Sequence, residues 1–176
     1  IDSISSGYGK VHYLAISPDD KYLAIATGKY KIVYPDPENP EYEEERIFDK
    51  IVILNRETKE VVKEFDGPKG TQGKINDMKF SPDGKYLGVA KLDGTVRVYD
   101  VINMELFRKF DVYGYSADSG PWLINLSKNS NFIYIGLAIF GRFDTEIYDI
   151  VNNSYLKTLD YCSYSCLEVS QNDNVL

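Results

Sequence analysis

The sequence predicts an all-β fold built from repeated four-stranded sheets. The first observation is a polar turn signature that recurs along the chain, as SPDD at 17–20, SPDG at 81–84, SKNS at 127–130 and SQND at 170–173. Each follows two apolar residues spaced two apart, and each of the first three precedes another apolar run. A strand–turn–strand unit that recurs in this way indicates a repeat architecture.

The second observation is that two further columns align once the turns are in register. The first column ends the third predicted strand of each unit and contains Asn55, Asp100 and Asp149. The second column lies 10 residues later in every unit, at Phe65, Phe110 and Leu159. A constant spacing across three units predicts one hairpin of fixed length between the third and fourth strands.

The third observation is the composition of the runs themselves, seen most clearly in the second unit. Strands are predicted over 74–80, 85–91, 95–100 and 106–110, because these runs are β-branched and aromatic and show no long helical periodicity. Asp93-Gly94 predicts a two-residue hairpin turn between the middle strands.

The segment SPDGKYLGVAKLDGTVRVYD at 81–100 resembles the core of a WD-repeat β-propeller blade, with Tyr99-Asp100 in place of the family's Trp-Asp. The resemblance extends over nearly the whole chain. It departs from the family in that no Gly-His dipeptide precedes any unit, so the family's hydrogen-bonded tetrad is absent. The resemblance implies blades over approximately 11–66, 74–111 and 121–160, with an incomplete blade over 165–176.

The register also predicts that the propeller extends beyond this chain. Ile1-Asp2 align with the end of an outer strand, and Leu176 falls just inside a second strand. Since open sheet edges favour pairing with another chain, the remaining blades are expected from the parent chain or from a second chain.

Composition narrows the possible partners. The chain of 176 residues has a formal net charge of −7, which argues against a general nucleic-acid binder. It has neither an apolar run long enough to span a bilayer nor a signal segment, so no membrane partner is expected.

Cys162 and Cys166 are interpreted as reduced thiols, with a disulfide or half of a metal site as the alternative. The single histidine, His12, cannot complete a zinc site with them. No cofactor is predicted, and a cytoplasmic location is expected.

An acidic insertion is predicted between the second and third strands of the first unit. Ser17 and Asn55 are 38 positions apart, against 19 and 22 for the equivalent pairs in the next two units, and the excess falls within 30–49. One hypothesis is an arm that contacts a basic partner, and the alternative is an extended hairpin with a solvated charged surface. The candidate contact residues in the insertion are Tyr34, Tyr42, Glu43, Glu44 and Glu45.

A second set of candidate contact residues is aromatic or basic. In the propellers that the chain resembles, the loops between strands two and three share one face with the loops that join successive blades. Tyrosine, tryptophan and arginine are enriched at the energetic centres of interfaces, although single tyrosines here could instead wedge between blades. The residues of this second set are Tyr113, Tyr115, Trp122, Arg142 and Tyr164.

No catalytic constellation is found in the sequence. GPKGTQGK at 67–74 lacks the spacing of a phosphate-binding loop and precedes a strand, not a helix. The sequence therefore predicts a non-enzymatic scaffold that binds a protein or peptide on its loop face. The alternative is the propeller portion of an enzyme or periplasmic protein (lactonase-like, TolB-like or prolyl-peptidase-type) whose chemistry lies elsewhere. Ligand-type side chains at the starts of the inner strands would favour the alternative. Those positions hold His12, Asn76, Trp122 and Ser165, with Asp77 and Tyr13 adjacent, a mixed set that favours the scaffold.

Overall fold

The structure is a computed structural model that describes residues 10–33, 43–66, 75–112, 120–139 and 142–160. These residues form twelve strands and no helix. The strands are β1 (Lys10–Ile16), β2 (Tyr22–Val33), β3 (Glu43–Asn55), β4 (Val61–Asp66), β5 (Ile75–Phe80), β6 (Tyr86–Lys91), β7 (Thr95–Asp100), β8 (Glu105–Asp111), β9 (Gly120–Leu126), β10 (Phe132–Ile139), β11 (Arg142–Asp149) and β12 (Ser154–Leu159).

The twelve strands form three sheets, each of four antiparallel strands in chain order. The first sheet contains β1–β4, the second β5–β8 and the third β9–β12. The first strand of each sheet packs beside the first strand of the next, so β1, β5 and β9 are the inner strands. The all-β prediction of four-stranded blades is confirmed.

The repeated polar signature forms the same turn in all three sheets. In the second sheet, the Ser81 hydroxyl accepts a hydrogen bond from the backbone N–H of Tyr86 at 2.9 Å and donates one to Asp83 at 2.6 Å. The equivalent serines of the first and third sheets, Ser17 and Ser127, make the same pair of bonds. One side chain therefore satisfies the backbone of a tight turn in every repeat. The SQND signature lies outside the described residues.

The turn between the third and fourth strands also repeats. The Asp100 carboxylate accepts hydrogen bonds from the backbone N–H groups of Ile102 and Asn103, and the Asn55 side chain accepts two equivalent bonds in the first sheet. Asp149 accepts the equivalent bond from Asn152. These bonds explain the aligned Asn/Asp column, since short polar side chains that bond two or three residues ahead stabilise turns.

The predicted two-residue turn at Asp93-Gly94 is wrong in length. β6 ends at Lys91 and β7 begins at Thr95, so three residues connect them. Gly94 has φ +78° and its N–H bonds to the Lys91 carbonyl at 3.2 Å. A glycine with positive φ at the end of a three-residue loop is the common alternative to the two-residue hairpin.

The core lies in two seams between sheets. The first seam joins the first and second sheets and includes Ala24, Ile53, Leu87 and Val89. The second seam joins the second and third sheets. At its centre, Gly88 leaves room for Ile124, whose Cδ1 would lie 2.9 Å from a Cβ at position 88. Small residues on one sheet thus receive branched aliphatic side chains from the next.

The acidic insertion continues the hairpin formed by β2 and β3. These strands contain 12 and 13 residues and pair as far as Val33 opposite Glu43. The extended-hairpin interpretation agrees with this pairing. Residues 34–42 lie outside the described ranges.

Candidate functional site

The candidate site lies at the loop end of the sheets, which we define as the end where β1, β5 and β9 begin. At this end, each inner strand shows a shift of pairing register at the same aligned position. The shift skips His12 between Val11 and Tyr13, and it recurs in the second and third sheets at Asn76 and Trp122. A bulge re-aims the side chain of the extra residue. Each of the three described sheets therefore places one bulge residue at this end.

Hydrogen bonds between blades fix this arrangement. The Asn76 side chain is buried, and its Nδ2 donates to the Pro121 carbonyl of β9 at 2.9 Å. Asp77, the next residue, accepts a hydrogen bond on Oδ2 from the backbone N–H of Ile124 at 3.0 Å. Its Oδ1 accepts from the N–H of Met78 at 2.8 Å. The bulge of the second sheet is thus tied to the inner strand of the third.

Tyr13 approaches the same carboxylate from the first sheet. Partial burial raises the pKa of the Tyr13 hydroxyl above its usual value, and the negative charge of Asp77 raises it further. The hydroxyl therefore stays protonated across the ordinary pH range. Asp77 thus bonds to the inner strand of the third sheet and acts electrostatically on a tyrosine of the first.

Trp122 is the sequence-predicted contact residue whose side chain the structure describes. It is 44% exposed on β9, although tryptophan is generally well buried. Its position next to Pro121, which Asn76 holds, places the exposed ring on a restrained segment of backbone. A large aromatic side chain held in this way is suited to anchor a partner.

The other predicted contact residues fall into two groups. Arg142 begins β11 opposite Ile139, at the loop end of the third sheet. Glu43, Glu44 and Glu45 begin β3 within the extended hairpin, and the backbone alone is described for these four residues. The remaining candidates lie outside the described residues: Tyr34, Tyr42, Tyr113, Tyr115 and Tyr164. Cys162 and Cys166 also lie outside them.

Sequence reasoning missed a pair of cations at the loop end of the first seam. Lys91 is 0% exposed, and its Nζ has no hydrogen-bond partner. Burial lowers the pKa of Lys91 to about 8, and the nearby Arg97 guanidinium lowers it as well, while Asp93 acts in the opposite direction. The signal was present in the aligned repeats, since Lys91 occupies the column that holds Thr27 and Leu137.

Within the described ranges, no group of three or more His, Cys, Asp or Glu side chains is arranged to hold a metal ion. The same residues include no helix long and apolar enough to cross a membrane.

Four-stranded antiparallel sheets with adjacent inner strands and a repeated loop-end bulge define β-propeller blades. A family model described as "Anaphase-promoting complex subunit 4 WD40 domain" matches residues 45–129. Human WD repeat-containing protein 36 is 33% identical over 106 residues, which cover 58% of this chain and 11% of that protein. These matches and the arrangement of the sheets support an assignment of the described sheets as WD-repeat-like β-propeller blades.

Solved structures show the same fold. The Myceliophthora thermophila Cps50 (Swd1) β-propeller domain matches with a TM-score of 0.60 at 14% identity, over 85% of this chain and 43% of its own. The U3-55K structure matches with a TM-score of 0.59 at 17% identity, over 90% of this chain and 44% of its own. The chain thus spans less than half the length of these propellers and about a tenth of the curated relative. WD40 propellers are generally non-enzymatic scaffolds for protein interaction, and the chain resembles them in sequence and fold.

Proposed function

We propose that this chain is a non-enzymatic platform that binds a protein or peptide segment at its loop end. The observation that carries the proposal is the bulge repeated in three blades, which places His12, Asn76 and Trp122 at equivalent positions there. Binding residues on a rigid scaffold are already positioned before the partner arrives, so less conformational entropy is lost on binding.

Each bulge residue has a different part in this proposal. Trp122 is the exposed anchor, and Asn76 is the buried residue that holds the neighbouring backbone through Pro121. His12 is half-buried and lies at the equivalent position on the first sheet. A central aromatic anchor surrounded by positioned polar groups is the usual composition of a protein-interaction site.

We further propose that additional blades, from the parent chain or a second chain, cover the free face of the first sheet. Leu14 and Ile16 are 59% and 52% exposed. Met78 and Ile124, the equivalents of Leu14, face the preceding sheet and are 3% and 0% exposed, and Leu126, an equivalent of Ile16, is 1% exposed. Because β1 carries apolar residues at the positions where β5 and β9 contact the preceding sheet, its exposed face is suited to pack against another blade.

Two further expectations remain part of this proposal. The net charge of −7 disfavours attraction to nucleic acid or to anionic membrane surfaces, so the proposed partner is a protein. The proposed location is the cytoplasm.

The test is quantitative affinity capture with the chain and two alanine variants. Trp122→Ala removes the proposed anchor, while Tyr155→Ala removes a similarly exposed aromatic (52%) from outer strand β12 and serves as the control. We expect Trp122→Ala to lower recovery of the captured proteins at least tenfold, as for a residue that contributes about 2 kcal/mol. Tyr155→Ala should leave recovery unchanged. Equal recovery with both variants would contradict loop-end binding.

Two further variants test the residues outside the described ranges. One deletes residues 35–45 of the insertion, and the other replaces Tyr113 and Tyr115 with alanine. If these segments contribute to the same surface, each variant should lower recovery of the proteins that Trp122→Ala loses. Full recovery with both variants would restrict the proposed surface to the bulge residues.

A further inference from the structure

The first seam contains a lysine where the repeat pattern calls for an apolar or small residue. In the third sheet the equivalent position is Leu137, which is fully buried in the second seam. Lys91 is equally buried, and its Nζ has no hydrogen-bond partner. Placing an unpaired ammonium in such a site costs several kcal/mol, so the position is not explained by packing.

A second cation lies beside it. Arg97 pairs with Val89 across the strands of the second sheet, on the face that contacts the first sheet. Its Nε is also buried without a hydrogen-bond partner, while the residue as a whole is partly exposed. Among the described residues, neither Lys91 nor Arg97 forms an ion pair.

Asp93, whose charge acts on Lys91, does not neutralise the pair. Asp93 Oδ1 accepts hydrogen bonds from the Thr95 backbone N–H at 3.0 Å and from the Thr95 hydroxyl at 2.5 Å. These bonds hold the Asp93 carboxylate within its own turn. Asp93 therefore interacts with Lys91 electrostatically and does not hydrogen-bond to it. Within the part of the chain that the structure describes, no carboxylate is bonded to either of these two cations at the loop end of the first seam.

We propose that Lys91 and Arg97 form a carboxylate-binding site that receives an acidic side chain of the protein docked at the loop end. Arg97, which is partly exposed, makes the outer contact through its planar guanidinium, and Lys91 makes the inner contact as a point charge. This inference rests on the proposed function, because it specifies the chemistry of one residue of that partner.

Comparison with the second seam shows that the pair of cations occurs in the first seam and is not repeated at the equivalent positions of the second. In the third sheet, Glu146 occupies the column of Arg97, and Leu137 occupies the column of Lys91. Glu146 accepts a hydrogen bond from the Tyr148 hydroxyl at 2.8 Å, so its charge is already bonded. At these equivalent positions the first seam therefore carries positive charge and the second carries negative charge. Of the two seams, only the first is suited to bind an acidic side chain.

The test measures thermal unfolding of the full chain with small probes and needs no partner. The probes are N-acetyl-glutamate amide, its neutral analogue N-acetyl-glutamine amide and inorganic phosphate, at constant ionic strength. We expect the glutamate probe to raise the Tm by about 2–4 °C and the glutamine probe to leave it unchanged. The response should be lost in Lys91→Leu, which introduces the residue found in the third sheet, and retained in Lys157→Leu on exposed β12.

Three results would overturn the inference: equal shifts with the glutamate and glutamine probes, an unchanged glutamate response in Lys91→Leu, or tighter binding of phosphate than of the carboxylate probe. The first two would exclude the carboxylate site, and the third would exclude an acidic side chain as its ligand. None of these results bears on whether Trp122 anchors a partner, so the two proposals fail separately.

Discussion

The Asp77 carboxylate on β5 accepts a hydrogen bond from the backbone N–H of Ile124 on β9, with 3.0 Å between Oδ2 and N. This bond joins the inner strands of two sheets beside the loop-end bulges. It lies next to the Asn76–Pro121 bond, so adjacent residues of the second sheet hold the strand that carries Trp122. The proposed anchor thus depends on contacts between blades as well as within one.

We expect Asp77→Ala to lower the free energy of unfolding by about 1–3 kcal/mol, because it leaves the Ile124 N–H unsatisfied at a partly buried position. Urea denaturation measures the change. Glu105→Ala, which alters an exposed carboxylate at the start of β8, is the matched control and should change stability by less than about 0.5 kcal/mol. Equal stability of both variants would mean that the inter-blade bond contributes nothing.

Gly88→Ala tests the packing of the second seam. The added Cβ would lie 2.9 Å from Ile124 Cδ1 and 3.3 Å from Leu126 Cδ1. We expect a loss of about 1–3 kcal/mol, as is typical of overpacking. Gly136→Ala is the control, because its nearest contact would be an ordinary 3.4 Å from Leu123 Cβ. A smaller loss for Gly88→Ala than for Gly136→Ala in the same denaturation experiment would argue against the packing described here.

The lowered pKa of Lys91 predicts that the free energy of unfolding increases as the pH rises. Burial lowers the pKa of Lys91 to about 8 in the folded chain, against an ordinary lysine pKa of 10.5. Protonation therefore disfavours the folded state, and the penalty is fully present below about pH 8 and disappears as the pH rises to about 10.5. A shift of this size corresponds to roughly 3 kcal/mol.

We accordingly expect the unfolding free energy of the wild-type chain, in chloride buffer, to increase between pH 8 and 10.5 relative to Lys91→Leu. Lys91→Leu should be the more stable protein at pH 7, and the difference should shrink as the pH rises. Chemical denaturation across this range measures both quantities. Parallel profiles for the two proteins would show that Lys91 keeps an ordinary pKa.

Ser81→Ala tests the repeated turn. The Ser81 hydroxyl is buried and bonded to both Tyr86 N–H and Asp83, and its removal leaves the buried Tyr86 N–H without its hydrogen bond, while Asp83 keeps its bond from Lys85. We expect a loss of about 1–3 kcal/mol in thermal or urea unfolding. Thr58→Ala, in an exposed turn of the first sheet, is the comparison and should have a much smaller effect. A negligible effect of Ser81→Ala would indicate that the turn is held by its backbone bonds alone.

The fold could be predicted from the sequence because its turns are made by local bonds. Ser81, Asp83 and their equivalents act within five residues of one another, so the pattern repeats wherever the turn does. The three-residue length of the Asp93-Gly94 turn was missed, since the same dipeptide suits both loop lengths.

The candidate site was predictable in part. The alignment placed His12, Asn76 and Trp122 at equivalent positions, and it could not show that each lies in a β-bulge. The burial of Lys91 depends on how the first two sheets pack, which no local pattern encodes. Its column offered the one available clue, because Leu137 shows that this position faces a seam.

The most direct test of loop-end binding is site-specific photo-crosslinking in the chain with its captured partner. A photoreactive amino acid is introduced at position 122 on β9 and, in a separate protein, at position 155 on β12. We expect partner crosslinks from position 122 and none from position 155. Crosslinks from position 155 with none from position 122 would contradict binding at the loop end.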